Sequence, residues 1–187
     1  ELQDSIKNLN ALGFETAYSE KILLQSGYFA GSDKDRAEDL MEKFDDKTIK
    51  GIVCARGGYG CARILPMLDY DVIRANPKVL IGYSDITALL YGIYKKSGLV
   101  TFHGPVGTST FNEYSVNNFN KVLINPERMC LCQNSTSGDD ENVYGVTAIV
   151  KGKGKGRLVG GNLSIIVSLI GTEFDVDYSN KIIFIEE

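Results

Sequence analysis

The sequence contains a single histidine, His103, and four cysteines without a C-x-x-C pair among its 187 residues. Cys54, Cys61, Cys130 and Cys132 are sparse and unpatterned, which suits a reducing compartment and a cytoplasmic protein. With one imidazole to join them, a zinc site is not expected. No apolar run reaches the roughly 20 residues that a membrane-spanning helix needs, so no membrane partner is expected. A G-x-x-x-x-G-K-[ST] loop and a G-x-G-x-x-G turn are both missing, which removes the common nucleotide cradles. Neither a metal nor an organic cofactor is expected. Positive charge is in deficit, with 20 Lys and Arg against 24 Asp and Glu for a net charge of −4, and this argues against a nucleic-acid partner. The basic patch "KGKGKGR" (151–157) is glycine-spaced and reads as a solvated turn. The chain opens at Glu1 rather than at Met, so the lack of a signal peptide excludes nothing.

What remains is an ordinary globular composition, 43% hydrophobic and 24% charged, with enough length for one good core. Leu2, Ile6 and Leu9 recur at helical spacing up to Gly13, and "FETAYS" (14–19) reads as a short strand. Ser32 followed by acidic residues and then Ala37, Leu40, Met41 and Phe44 reads as a capped helix. "IKGIVCA" (49–55) is a buried strand, "RGGYG" (56–60) a turn and "CARILPMLD" (61–69) a short helix. "KVLIGY" and "LVTFHGP" are further strands, with the helix "DITALLYGIYKKSG" between them. This alternation predicts a parallel-sheet α/β domain of flavodoxin or Rossmann type. Beyond residue 107 the chain turns polar, with a loop or hairpin tip at 134–142. Strands are expected at 143–150 and 157–159, a short buried helix at 162–171 and a buried strand at 181–187. A boundary near 110–125 divides the chain into an N-terminal domain, 1–115, and part of a smaller β-rich domain, 116–187. The first strand of the sheet and much of the second domain are expected to be missing.

In an open α/β sheet, reacting groups gather beyond the carboxyl ends of the strands. Ser84, in "GYSDI", lies at such an end, where a strand gives way to a helix whose first N–H groups suit a developing oxyanion. The pattern is close to G-x-S-x-G, with Ile86 in place of the second glycine. The competing reading is that Ser84 caps the helix, and on pattern alone it is the stronger one. Gly57 and Gly58 reach the same edge and offer close backbone approach, or a plain tight turn. His103 reaches it too, as the default general base or as a structural histidine. Glu186 closes an apolar strand, where a carboxylate is costly unless paired, and Glu187 beside it is the solvent-facing alternative.

The blocks "AGSDKDRAEDLMEKFDD", "IVCARGGYGCARILPMLD", "PKVLIGYSDITALL", "TFHGP", "GRLVGGNLSIIVSLIGT" and "KIIFIEE" follow one another in this order. Together they resemble the LD-carboxypeptidase family of serine peptidases over nearly the whole chain. That family includes the muramoyl-tetrapeptide carboxypeptidases and the microcin C self-immunity peptidases. The resemblance implies that Ser84 is the nucleophile and Glu186 the acid of a Ser-His-Glu triad. It implies oxyanion donors at the Asp85 backbone and in the glycine turn, at Gly58 with Gly57 beside it. It places the catalytic histidine further along, outside this chain, and makes His103 part of the scaffold; the chain alone is then inactive. The implied partner is a murein tetrapeptide losing its terminal D-alanine in peptidoglycan recycling, and a homodimer is implied as well. The alternatives are a microcin C-type peptidase and, from another class, a non-catalytic binding domain or inactive homologue.

Overall fold

A computed structural model of the chain describes residues 1–128 and 147–187. The expected loop at 134–142, the start of the strand expected at 143–150, and Cys130 and Cys132 lie outside the described residues.

Helix α1 (Leu2–Ala11) ends just before Gly13. Helix α2 (Asp33–Asp45) starts where its sequence says it should. The Ser32 hydroxyl accepts from the Asp35 N–H at 3.2 Å, while the Asp35 carboxylate accepts from the Ser32 N–H at 2.9 Å. This reciprocal cap satisfies two donors that a helix start leaves open. Ala37 and Phe44 are its buried residues.

Strands β1 (Gly51–Val53), β2 (Val79–Gly82) and β3 (Phe102–His103) form a parallel sheet in the order β1-β2-β3. Ile81 lies opposite Val53 on one side and Phe102 on the other, and Gly82 opposite His103. Helices α3 (Cys61–Ile64) and α4 (Tyr70–Ala75) carry the chain from β1 to β2. Helix α5 (Thr87–Ser97) carries it from β2 to β3 and stops at Gly98, whose φ of 76° is the left-handed stop that glycine adopts without strain. Every residue of α5 from Thr87 to Ile93 is buried, so this helix is the centre of the molecule. Its own Ile93 is fully enclosed, as are Phe44, Leu65, Ile73 and Leu80 from other elements. Lys78 is buried as well, and its ammonium donates to the carbonyls of Asp46 at 2.7 Å and Ile49 at 2.8 Å.

After α6 (Glu113–Phe119) and a π-helical turn at Asn120–Ile124, the chain builds a second element. Strand β4 (Arg157–Asn162), helix α7 (Leu163–Leu169) and strand β5 (Lys181–Glu186) make a two-stranded parallel ribbon with its crossover helix. Val159, Ile166, Leu169, Phe174 and Val176 join the same apolar core as α5.

Several expectations change. Residues 14–19 form no strand, because a strand exists only where a neighbour satisfies its backbone. The outer edge of β1 runs instead along an open groove of about 770 Å³, lined in part by Ile6, Leu9, Phe14, Ile52, Val79 and Leu123. Residues 147–150 are irregular and exposed rather than strand. The last strand forms as expected but is not buried on both faces, since Ile183 is 49% and Ile185 58% exposed.

Candidate active site

Ser84 follows β2 after one residue, Tyr83, at the carboxyl end of the sheet, and opens a short 3-10 turn (Ser84–Ile86) that runs into α5. Its φ is 62°, a left-handed conformation that costs a serine about 1 kcal/mol or more. The expectation that Ser84 caps the helix is therefore corrected. A capping residue needs extended backbone, and neither this turn nor α5 has a side-chain cap. The hydroxyl is left without a hydrogen-bond partner among the described residues, held out by a strained backbone.

The turn 56–60 comes up beside it. A methyl group placed on Gly57 would sit 2.9 Å from Ser84 Cβ and 3.2 Å from its hydroxyl, closer than real side chains approach. Gly58 is next in line and exposed. No described residue accepts a hydrogen bond from the backbone N–H of Gly57, Gly58 or Asp85. The Asp85 side chain, 4% exposed, turns the other way. Its carboxylate accepts from the Cys61 N–H at 3.0 Å and so ties the start of α3 to the serine turn. Burial first, and the Asp85 charge second, push the Cys61 thiol well above its ordinary range.

The second element reaches this edge through one bond that the sequence did not announce. The Asn162 N–H donates to the Thr87 hydroxyl at 3.0 Å, three residues beyond Ser84. Gly161 is packed so closely there that an added Cβ would lie 2.7 Å from Thr87 Oγ1. Asn162 in turn pairs with Glu186 in the β4–β5 register. The ribbon thus carries Glu186 to the same end of the molecule as Ser84.

The two terminal glutamates separate cleanly. The Glu187 carboxylate accepts from the Ser164 N–H at 3.0 Å and its hydroxyl at 2.6 Å, bonds that hold its carboxyl below the usual range. Glu187 therefore adds a second acceptor at the start of α7, beside its N-cap Asn162, which accepts from the Ile165 N–H at 3.2 Å. Glu186 is half-buried, and its Oε2 is enclosed with no hydrogen-bond partner among the described residues. His103 stands nearby, with its ring edge-on to Phe184 at 5.0 Å and to Tyr83 at 6.3 Å. Burial pushes its pKa below the ordinary value, opposed by the charge of Glu186. Among the described residues, no three His, Cys, Asp or Glu side chains converge as a metal cluster.

A serine in a strained strand-to-helix turn, unpaired N–H groups beside it and an enclosed carboxylate suit acyl transfer. The LD-carboxypeptidase N-terminal domain model matches residues 1–104, and the LD-carboxypeptidase C-terminal domain model matches 155–187. The chain belongs to the LD-carboxypeptidase family. It is 38% identical to a probable murein peptide carboxypeptidase of Bacillus subtilis (strain 168), over all of this chain and 57% of that protein. It is 35% identical to the microcin C7 self-immunity protein MccF of Escherichia coli, over 86% of this chain and 53% of that one. Its fold matches an MccF-like protein of Bacillus anthracis str. Ames with a TM-score of 0.80 at 33% identity, covering 99% of this chain and 61% of that one. The chain therefore spans little more than half the length of these curated family members. No helix among the described residues is long and apolar enough to cross a membrane.

Proposed function

We propose that the full-length protein is a cytoplasmic serine LD-carboxypeptidase that removes the terminal D-alanine of murein tetrapeptide during peptidoglycan recycling. The observation that carries this reading is Ser84 itself, a non-glycine residue at φ 62° at the carboxyl end of β2, beside three backbone donors unpaired among the described residues. Ser84 Oγ attacks the carbonyl before the D-amino acid, and a histidine outside residues 1–187 takes its proton. The N–H groups of Asp85 and Gly58, with Gly57 beside them, hold the negative oxygen of the tetrahedral intermediate. The intermediate expels the D-alanine amine, which takes the proton back from the histidine, and water then releases the acyl group from Ser84. Glu186 orients the histidine and stabilises its charged form. No step calls for a metal or an organic cofactor.

On this reading residues 1–187 alone hold a nucleophile and an acid without a base, and are inactive. Division into domains 1–115 and 116–187 belongs to the same proposal, supported by the two separate family models that flank residues 105–154. The groove along the free edge of β1 supports the expectation of one further strand there. The deciding assay follows D-alanine release from murein tetrapeptide by the full-length protein. Release by Ser84→Ala as fast as by wild type would sink the reading.

A second reading is a microcin C-type peptidase acting on a peptidyl-nucleotide analogue, favoured by the likeness to MccF. Turnover of an aminoacyl sulfamoyl nucleotide well above that of murein tetrapeptide would select it. A fluorophosphonate probe that fails to label Ser84 in the full-length protein would point instead to a binding module.

A further inference from the structure

The proposed mechanism leaves one half-buried imidazole unused. His103 lies on β3 opposite Gly82, two residues before Ser84. Phe184 meets its ring edge-on, and Glu186, two residues further along β5, shares that face of the strand. Glu186 from β5 and Tyr83 from the serine turn are the titratable groups that face it. Two enclosed polar atoms in this place have no hydrogen-bond partner among the described residues, His103 Nδ1 and Glu186 Oε2. One can donate and the other can only accept. Buried polar groups nearly always find partners, directly or through an ordered water, and each of these two is the complement of the other.

We propose that His103 is a positioning residue, whose Nδ1–H donates through one bridging water to Glu186 Oε2 and fixes the carboxylate at the serine end of the ribbon. This rests on the reading of Glu186 as the triad acid and says what holds that acid in place. With Oε2 anchored, Oε1 is left to accept from the catalytic base. The imidazole must be neutral and protonated on Nδ1, and the burial that lowers its pKa keeps it neutral near pH 7. A carboxylate aimed by one oxygen and used by the other presents a fixed acceptor to the base.

The test follows the ring directly by nitrogen-15 and proton NMR in the full-length protein, with the His103 signals assigned by their loss in His103→Asn. The neutral ring is expected to carry its proton on Nδ1, and Glu186→Gln is expected to lower the His103 titration midpoint. In D-alanine release, His103→Phe should lower kcat by about 10- to 100-fold with KM held within about twofold. His103→Asn, whose amide still donates near the Nδ1 position, should recover most of that loss. A His103 that titrates identically in wild type and Glu186→Gln, or a neutral ring protonated on Nε2, overturns the proposal. Equal losses in folded His103→Phe and His103→Asn overturn it as well, since packing alone would explain them. The NMR arm needs no turnover, so a failure of the contact is distinguishable from a failure of the triad, which active Ser84→Ala would reveal.

Discussion

Replacing Ser84 by glycine and by alanine gives a test of the serine turn that does not depend on any substrate. At an ordinary position glycine is the less stable of the two by roughly 0.5–1 kcal/mol, because it loses more backbone freedom on folding. At φ 62° the balance reverses. A residue with a Cβ carries a left-handed penalty of about 1–2 kcal/mol there, which glycine escapes. The difference leaves Ser84→Gly more stable than Ser84→Ala by about 0.5–1 kcal/mol. Wild type should fall near the alanine variant, since the serine hydroxyl makes no hydrogen bond to a described residue that alanine would lose. Paired urea titrations of the three full-length proteins measure this as a shift in midpoint at constant slope. Both variants should be inactive, so the more stable protein is a dead one. If Ser84→Gly unfolds first, by the margin of an ordinary site, Ser84 is not strained and the argument from its backbone fails.

Gly57→Ala should lower kcat by about 100-fold by displacing the hydroxyl 3.2 Å from its new Cβ. Its cost in stability should shrink in a Ser84→Gly background, where the opposing Cβ is gone; additive urea midpoints would contradict this. Asp33 accepts from Arg63 Nη2 at 2.7 Å and from Arg36, which holds its carboxyl below the ordinary 3.8. Because the folded value is the depressed one, its stabilising effect is complete above pH 3.8 and fades as pH falls through the folded value. Asp33→Asn should therefore melt below wild type at pH 7, with the gap closing under strong acid. Burial pushes the Cys54 thiol up to about 12 and the Cys61 thiol higher still. Mass mapping should find neither alkylated by iodoacetamide at pH 8 in the folded protein, and both alkylated in urea.

Elements whose causes are local could be read in advance. The cap of α2 needs only Ser32 and Asp35, and the change of period after Ser84 placed β2 and α5. Gly98 ended α5 as a glycine should. Helix α4 went unread because six residues carry too little periodicity, although Asp69 accepts from the N–H groups of Asp71 and Val72 as its cap. Residues 14–19 alternate like a strand, but pairing is a property of two segments and one segment cannot declare it. The apolar run "IIFI" (182–185) looked enclosed because hydropathy does not say how many faces are covered. At Ser84, composition favours a cap and only the backbone angle refutes it. His103, Gly57 and Asp85 were legible as neighbours of one sheet edge. The bond from Asn162 to Thr87 spans 75 residues, and no pattern within either segment announces it. Glu186 and Glu187 are adjacent and alike in type, so apart from the family resemblance their surroundings separate only through Ser164 on α7 and the register of the ribbon.

The ribbon that brings Glu186 to the serine turn also sets a schedule. Two paired strands are marginal alone, so this carboxylate takes its place only once β4, α7 and β5 have docked on α5. Glu186 is made 102 residues after Ser84, an interval of about 5–20 s at ribosomal rates. If Glu186 is the acid of the proposed triad, the emerging chain displays its serine throughout that interval without that support. On the proposed function, hydrolytic power would arrive late in synthesis, and the nascent chain would pass its most exposed moments unarmed.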